Sequence, residues 1–195
     1  SQEAALKYFL LGSLASAIML YGIAMLYGYA GAFQLADIDA AIAAGTGSNA
    51  LLLTGMLLTA VGLLFKIGAV PFHAWTPDVY MGAPSPVTAF MAVATKTAAV
   101  AALLRVFYVA LGGLRWDWQL LFAVVAVLSM LLGATVALAQ NDIKRLLAYS
   151  SIAHAGFILV GVVGAVQAGD EVSISSVGAI GFYLLTYGVA TLGAF

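Results

Sequence analysis

Apolar residues fill five long stretches of the chain and the start of a sixth. Residues 4–29, 51–75, 86–112, 118–139 and 143–166 each read as one helix, and another begins near 175–177. Each complete stretch reaches about 20 residues or more, the length that carries an α-helix across a ~30 Å hydrocarbon layer. A transmembrane barrel would show short segments of alternating polarity, and none occur. Polar, glycine-rich or proline-rich connections separate the stretches, at 31–49, 73–85 and 167–173. The pattern predicts an all-α polytopic membrane protein with about six transmembrane helices.

The second stretch contains its own interruption. Pro71 has no N–H to offer the carbonyl of Ile67, and its ring crowds that carbonyl; Gly68 loosens the same turn. A break is therefore expected between Gly68 and Pro71. Carbonyls freed there need donors in a dry medium, and Lys66, His73 or water are the sources in reach. All four prolines lie between Lys66 and Lys96. Lys96 follows Pro86, a first-turn proline, by ten residues, or about 15 Å at 1.5 Å per residue. That depth is near the bilayer centre. A lysine so placed costs at least ~2.5–3.5 kcal/mol on insertion scales unless it is paired, wetted or neutralised.

Composition narrows the function. The chain is 64% hydrophobic and 8% charged, far below the ~25% charge of a soluble domain. Its net charge of −1 implies no nucleic-acid partner, and the lack of cysteine rules out thiol-ligated clusters and disulfides. There is no glycine-rich nucleotide fingerprint, and His73 and His154 fall on separate helices without metal-ligand spacing. Redox chemistry is not expected in this chain. Lys7, Lys144 and Arg145 fall on one side of six alternating spans, and Arg115, Arg105 and four acids on the other, so positive-inside bias puts the first side in the cytoplasm. The chain lacks an initiator Met and a signal-peptide pattern, and it is read as a piece of a longer protein.

Each candidate residue has a plain reading beside the functional one. Lys66 either holds the break by bonding freed carbonyls or carries protons. The physics favours switching, because desolvation lowers a lysine pKa and an approaching acid restores it. Lys96 is too deep to snorkel easily, which favours function. His154, near the middle of the fifth helix, is a relay or a hydrogen-bonded structural residue. His73 reads first as a connector group, and Asp78 as a cap of the turn after Pro77; both are secondary candidates. Asp142 suits an N-cap. Ser150, Ser151, Thr95 and Thr97 can hold water, although such hydroxyls commonly bond their own helix.

Three blocks carry a resemblance: FKIGAVPFHAWTPDVYMGAPSPVTAFMAVATKTAAVAALLRVF from Phe65 to Phe107, NDIKRLLAYSSIAHAGFILVG from Asn141 to Gly161, and EAALKYFLLGSLASAIMLYGIAMLYG from Glu3 to Gly28. Together they resemble the N-type, antiporter-like membrane subunits of NADH:quinone oxidoreductase, respiratory complex I. The T-P-D-V-Y-x-G-A-P form separates that type from the related Mrp-type sodium/proton antiporters. The resemblance implies an inverted-repeat antiporter-like fold, the second helix here broken near Gly68 and Pro71. Residues 1–112 would end the first repeat and residues 113–195 open the second. Lys66, Lys96 and His154 match family positions on the proton path. The glutamate that partners Lys66 in the family precedes this chain, and a further lysine follows Phe195.

On the same resemblance the chain itself holds no cofactor, while NADH, FMN, iron–sulfur clusters and quinone belong to partner subunits. Its partners are other membrane subunits of complex I and the lipid bilayer, in a bacterial inner membrane or an organellar one. Its role is to move protons through half-channels in response to electron transfer elsewhere. An Mrp-type Na⁺/H⁺ antiporter and a purely structural membrane scaffold are the alternatives.

Overall fold

A computed structural model of the chain describes residues 2–45, 47–165 and 174–195. Eight helices appear among the described residues: α1 (Gln2–Ala30), α2 (Leu35–Ala44), α3 (Asn49–Ile67), α4 (Trp75–Gly82), α5 (Ser85–Ala110), α6 (Arg115–Leu138), α7 (Ile143–Gly164) and α8 (Ile174–Ala194). Six candidate spans are long and apolar enough to cross a membrane, as the hydrophobic pattern requires. Ser1, which by residue type suits an N-cap of the first helix, and the 167–173 connection with its acids Asp170 and Glu171 lie outside the described residues.

Two connections contain helices that the sequence pattern did not announce. Residues 31–49, read as a polar link, hold α2. Its Leu35, Ile38, Ala41 and Ile42 repeat at helical spacing, and Ile38 is buried. They close over the end of α5, where a 3₁₀ turn at Gly112–Leu114 leads into α6; a Cβ on Gly113 would meet Ile42 Cγ2 at 3.1 Å. Residues 73–85 hold α4, which buries Trp75, Val79 and Tyr80. Ten and eight residues are too short to be stable alone, so tertiary packing makes them helical.

The helices meet through small residues. A Cβ on Gly22 would come within 2.6 Å of the Thr59 backbone N, so α1 and α3 pack at glycine distance. Gly133 lies as close to Ala153, and Gly156 to the Ala126 carbonyl, which brings α6 and α7 together. Apolar lipid tails give helices no hydrophobic reason to associate, so close backbone approach of this kind is what holds them.

α5 crosses its span with two π turns, Met91–Thr95 and Val106–Ala110. Each inserts a residue into the helical register, and such bulges recur at functional sites. The first ends immediately before Lys96. Thr95 Oγ1 donates to Met91 O, and Thr97 Oγ1 donates to Val93 O at 2.8 Å, so both hydroxyls serve their own helix.

Candidate functional site

The break falls where Gly68 and Pro71 predict it. α3 ends at Gly68, which adopts φ +77° and donates its N–H to the carbonyls of Leu64 and Phe65. Only glycine takes this left-handed turn without penalty. Two backbone groups at the break have side-chain partners from other elements. Trp75 Nε1 donates to Phe65 O at 3.0 Å, and Val70 N donates to Ser129 Oγ at 2.9 Å. Ser129, on α6, is fully buried and passes its own proton to Val125 O at 2.7 Å. These two replace the partners expected from sequence, Lys66 and His73. Lys66 sits half-buried in the last turn of α3, and no hydrogen bond or ion pair joins it to a described residue. His73 keeps Nδ1 buried without a hydrogen-bond partner. Burial holds its imidazole below the ordinary histidine value, opposed by the nearby Pro71 carbonyl.

Among the described residues Lys96 is the one buried charged side chain, 3% exposed. The preceding π turn points it at α7, where Nζ donates to Ser151 O and Ser151 Oγ, each at 2.6 Å. Its ammonium lies 5.4 Å from the centre of the Tyr187 ring on α8. That ring stands 4.7 Å from the His154 ring, and His154 Nδ1 is 2.6 Å from the Tyr183 hydroxyl. Lys96 and His154, far apart in sequence, thus belong to one polar cluster between α5, α7 and α8. Among the described residues no carboxylate pairs with Lys96. A buried ammonium is held here by one hydroxyl, one carbonyl and one aromatic face in place of water.

Sequence reasoning named Lys96 and His154 but missed Tyr183, Tyr187 and Ser129. The two tyrosines stand four residues apart, one helical turn, and this spacing was the available signal. Ser129 carried no signal, because a lone serine in an apolar helix commonly bonds its own backbone.

Asp78 does not cap the turn after Pro77. It pairs with Lys7 at 2.8 Å, and Lys7 also bonds Glu3 at 2.7 Å, one turn away on α1. Lys7 carries its ammonium on a flexible four-carbon stem, which reaches across from α1 to the Asp78 carboxylate. Lys144 Nζ donates to Ala83 O at 3.0 Å, and Arg145 lines a polar cleft with Glu3, Lys7 and Asp78. The start of α1, α4 and the start of α7 therefore share one end of the molecule, as alternating spans require. Asp142 caps α7 as expected, accepting from Arg145 N at 3.0 Å.

The chain is a helical membrane protein with one broken span and a lysine buried in the next, and comparison with solved structures places this fold among antiporter-like subunits. A family model described as NADH:quinone oxidoreductase/Mrp antiporter, transmembrane, matches residues 1–195, and the chain belongs to that family. NADH-quinone oxidoreductase subunit N of Cutibacterium acnes is 62% identical over 99% of this chain, which covers 36% of that protein. The Rhodococcus opacus subunit N is 60% identical over the whole chain, covering 35% of its own length. The chain spans about a third of these relatives. A chain of respiratory complex I from Thermus thermophilus superposes with TM-score 0.75 at 45% identity, over 97% of this chain and 38% of that one. A chain of the Mrp complex from a Dietzia species gives TM-score 0.82 at 26% identity, over 97% and 33%. The protein is an integral membrane protein of the bacterial inner membrane.

Proposed function

We propose that this chain is part of a proton-translocating membrane subunit of NADH:quinone oxidoreductase, and that protons pass through half-channels centred on Lys66 and Lys96. One observation carries the reading: Lys96 is buried at the centre of its span with no acidic partner among the described residues. A protein that needed only stability would have placed an apolar residue there, because removing one partner of a buried charge is costly and replacing the charge is not. His154 and the hydroxyls around it supply proton-exchanging groups next to the amine.

In this reading Lys66 is loaded when an acid from a neighbouring segment approaches it and unloaded when that acid withdraws. The chain itself performs no electron transfer; NADH, FMN, iron–sulfur clusters and quinone act in other subunits, whose membrane members are its partners. Residues 1–112 close one inverted repeat and residues 113–195 open the next. The sequence relatives named for subunit N support this reading over sodium/proton exchange, since the Mrp chain shares the fold at much lower identity.

The test uses the full-length subunit in the assembled complex, reconstituted in vesicles. Lys66→Met and Lys96→Met are each expected to lower the number of protons taken up per NADH oxidised. An unchanged ratio in an intact complex would overturn the proposal, and sodium-dependent collapse of ΔpH without NADH would favour the antiporter instead.

A further inference from the structure

Two clefts lie along the seam between α7 and α8, toward opposite ends of the helix pair. The first, about 320 Å³, reaches Gly164 and Ser176. The second, about 380 Å³, reaches Leu147 and Ala194 at the far ends of the same helices. Tyr183 lines both of them. Its hydroxyl meets His154 Nδ1 at 2.6 Å, and His154 lines the second cleft alone of the two. The seam is therefore divided at one point, and a titratable pair stands on it.

We propose that Tyr183 is the partition between these two half-clefts and the hydroxyl through which a proton crosses from the first to His154. The proposal rests on the proton-translocation reading above. The step conserves charge. A protonated water in the first cleft donates a proton to the Tyr183 oxygen, leaving neutral water, as the tyrosine O–H passes its own proton to Nδ1. The imidazole, protonated at Nε2 before the step, then releases that Nε2 proton toward the second cleft. One proton enters and one leaves, the tyrosine hydroxyl is regenerated, and the imidazole regains its starting tautomer by a ring flip and proton exchange with water of the second cleft, so that no proton returns through Tyr183. Tyr187 borders the same second cleft, with its ring between His154 and the Lys96 ammonium. This places the crossing beside the charge whose proton it exchanges. Thr186 is no competitor as relay, because its hydroxyl is engaged by Phe182 O and Tyr183 O of its own helix.

Tyr183→Phe keeps the ring that separates the clefts and deletes the relay. In the full-length subunit within the reconstituted complex, it is expected to lower protons per NADH by at least as much as Lys96→Met. Parental pumping by Tyr183→Phe in an intact complex, alongside a deficient Lys96→Met, overturns the relay and leaves the wider reading standing. Parental pumping by both overturns the wider reading as well. A second arm replaces Tyr183 with a ring-fluorinated tyrosine, which preserves the seat and acidifies the hydroxyl. A relay predicts that the pH profile of pumping shifts. A profile that stays in place, with assembly confirmed, assigns Tyr183 a packing role and rejects the proposal. The groups facing this hydroxyl are His154 on α7 and Tyr187 on α8, with Lys96 on α5 behind them, and none of these is altered.

Discussion

The broken end of α3 and the Lys96 segment of α5 place polar groups in an apolar medium by opposite means. At Gly68 the backbone itself is interrupted, and neutral side chains brought from elsewhere, Trp75 and Ser129, take up the exposed N–H and C=O groups. At Lys96 the backbone stays helical through a π turn, and a charged side chain is inserted instead, held by Ser151. The first solution gives the Phe65 carbonyl and the Val70 N–H fixed neutral partners, with His73 Nδ1 and Thr76 Oγ1 left buried and unpaired nearby. The second is open, because an ammonium with three protons finds two oxygens on one residue and an aromatic face. Under the proposed function, the first region serves as scaffold and the second exchanges protons.

That contrast can be broken from either side. The largest stability loss is expected for Ser151→Ala in the full-length subunit, which leaves the Lys96 ammonium with a single carbonyl; a hydrogen bond to a charged group is worth about 1.5–3 kcal/mol. Equilibrium unfolding in mixed detergent measures it, and Lys96→Met should recover most of the loss, since it removes the charge that lost its partner. No recovery would mean that Ser151 matters for packing alone.

Ser129→Ala comes next. It strands the Val70 N–H inside the protein, at a cost of about 1–3 kcal/mol. The two serines share no partner, so the double variant should lose the sum of the single losses; a coupling above about 0.5 kcal/mol would show that break and charge form one unit.

Gly68→Ala follows, with about 1–2 kcal/mol for forcing a Cβ into the left-handed region. The new Cβ would also meet Thr76 Oγ1 at 3.0 Å. Proton uptake per NADH should stay nearer to the parental ratio than in Lys96→Met, because the break is scaffold. The smallest effect is expected at Lys7→Met, whose ion pairs with Glu3 and Asp78 lie at the exposed end of the molecule. Salt should abolish whatever difference a stability measurement detects there.

Much of this architecture was legible before any coordinates. The long apolar stretches, the break at Gly68 and the depth of Lys96 follow from local rules: length of apolar runs, the missing proline N–H, and rise per residue. α2 and α4 were not legible, since ten and eight residues with weak patterns become helical only when Ile38 or Trp75 and Tyr80 find a surface to cover. Asp78 was misassigned to a turn for a related reason. Its partner, Lys7, is 71 residues away, and no spacing rule links them.

By itself, then, the order of residues determined that the chain crosses a membrane, where one span must break and which amines lie too deep to be ordinary. Those are consequences of what hydrocarbon excludes, and each residue feels them without reference to its neighbours in space. Tertiary structure alone decided who answers those exclusions. Ser129 rather than Lys66 reaches the broken backbone, and Ser151, Tyr187, His154 and Tyr183 gather around the Lys96 charge. Hydrogen bonds need donor and acceptor within about 3 Å, and only the packing of α5, α6, α7 and α8 brings groups so distant along the chain to that separation.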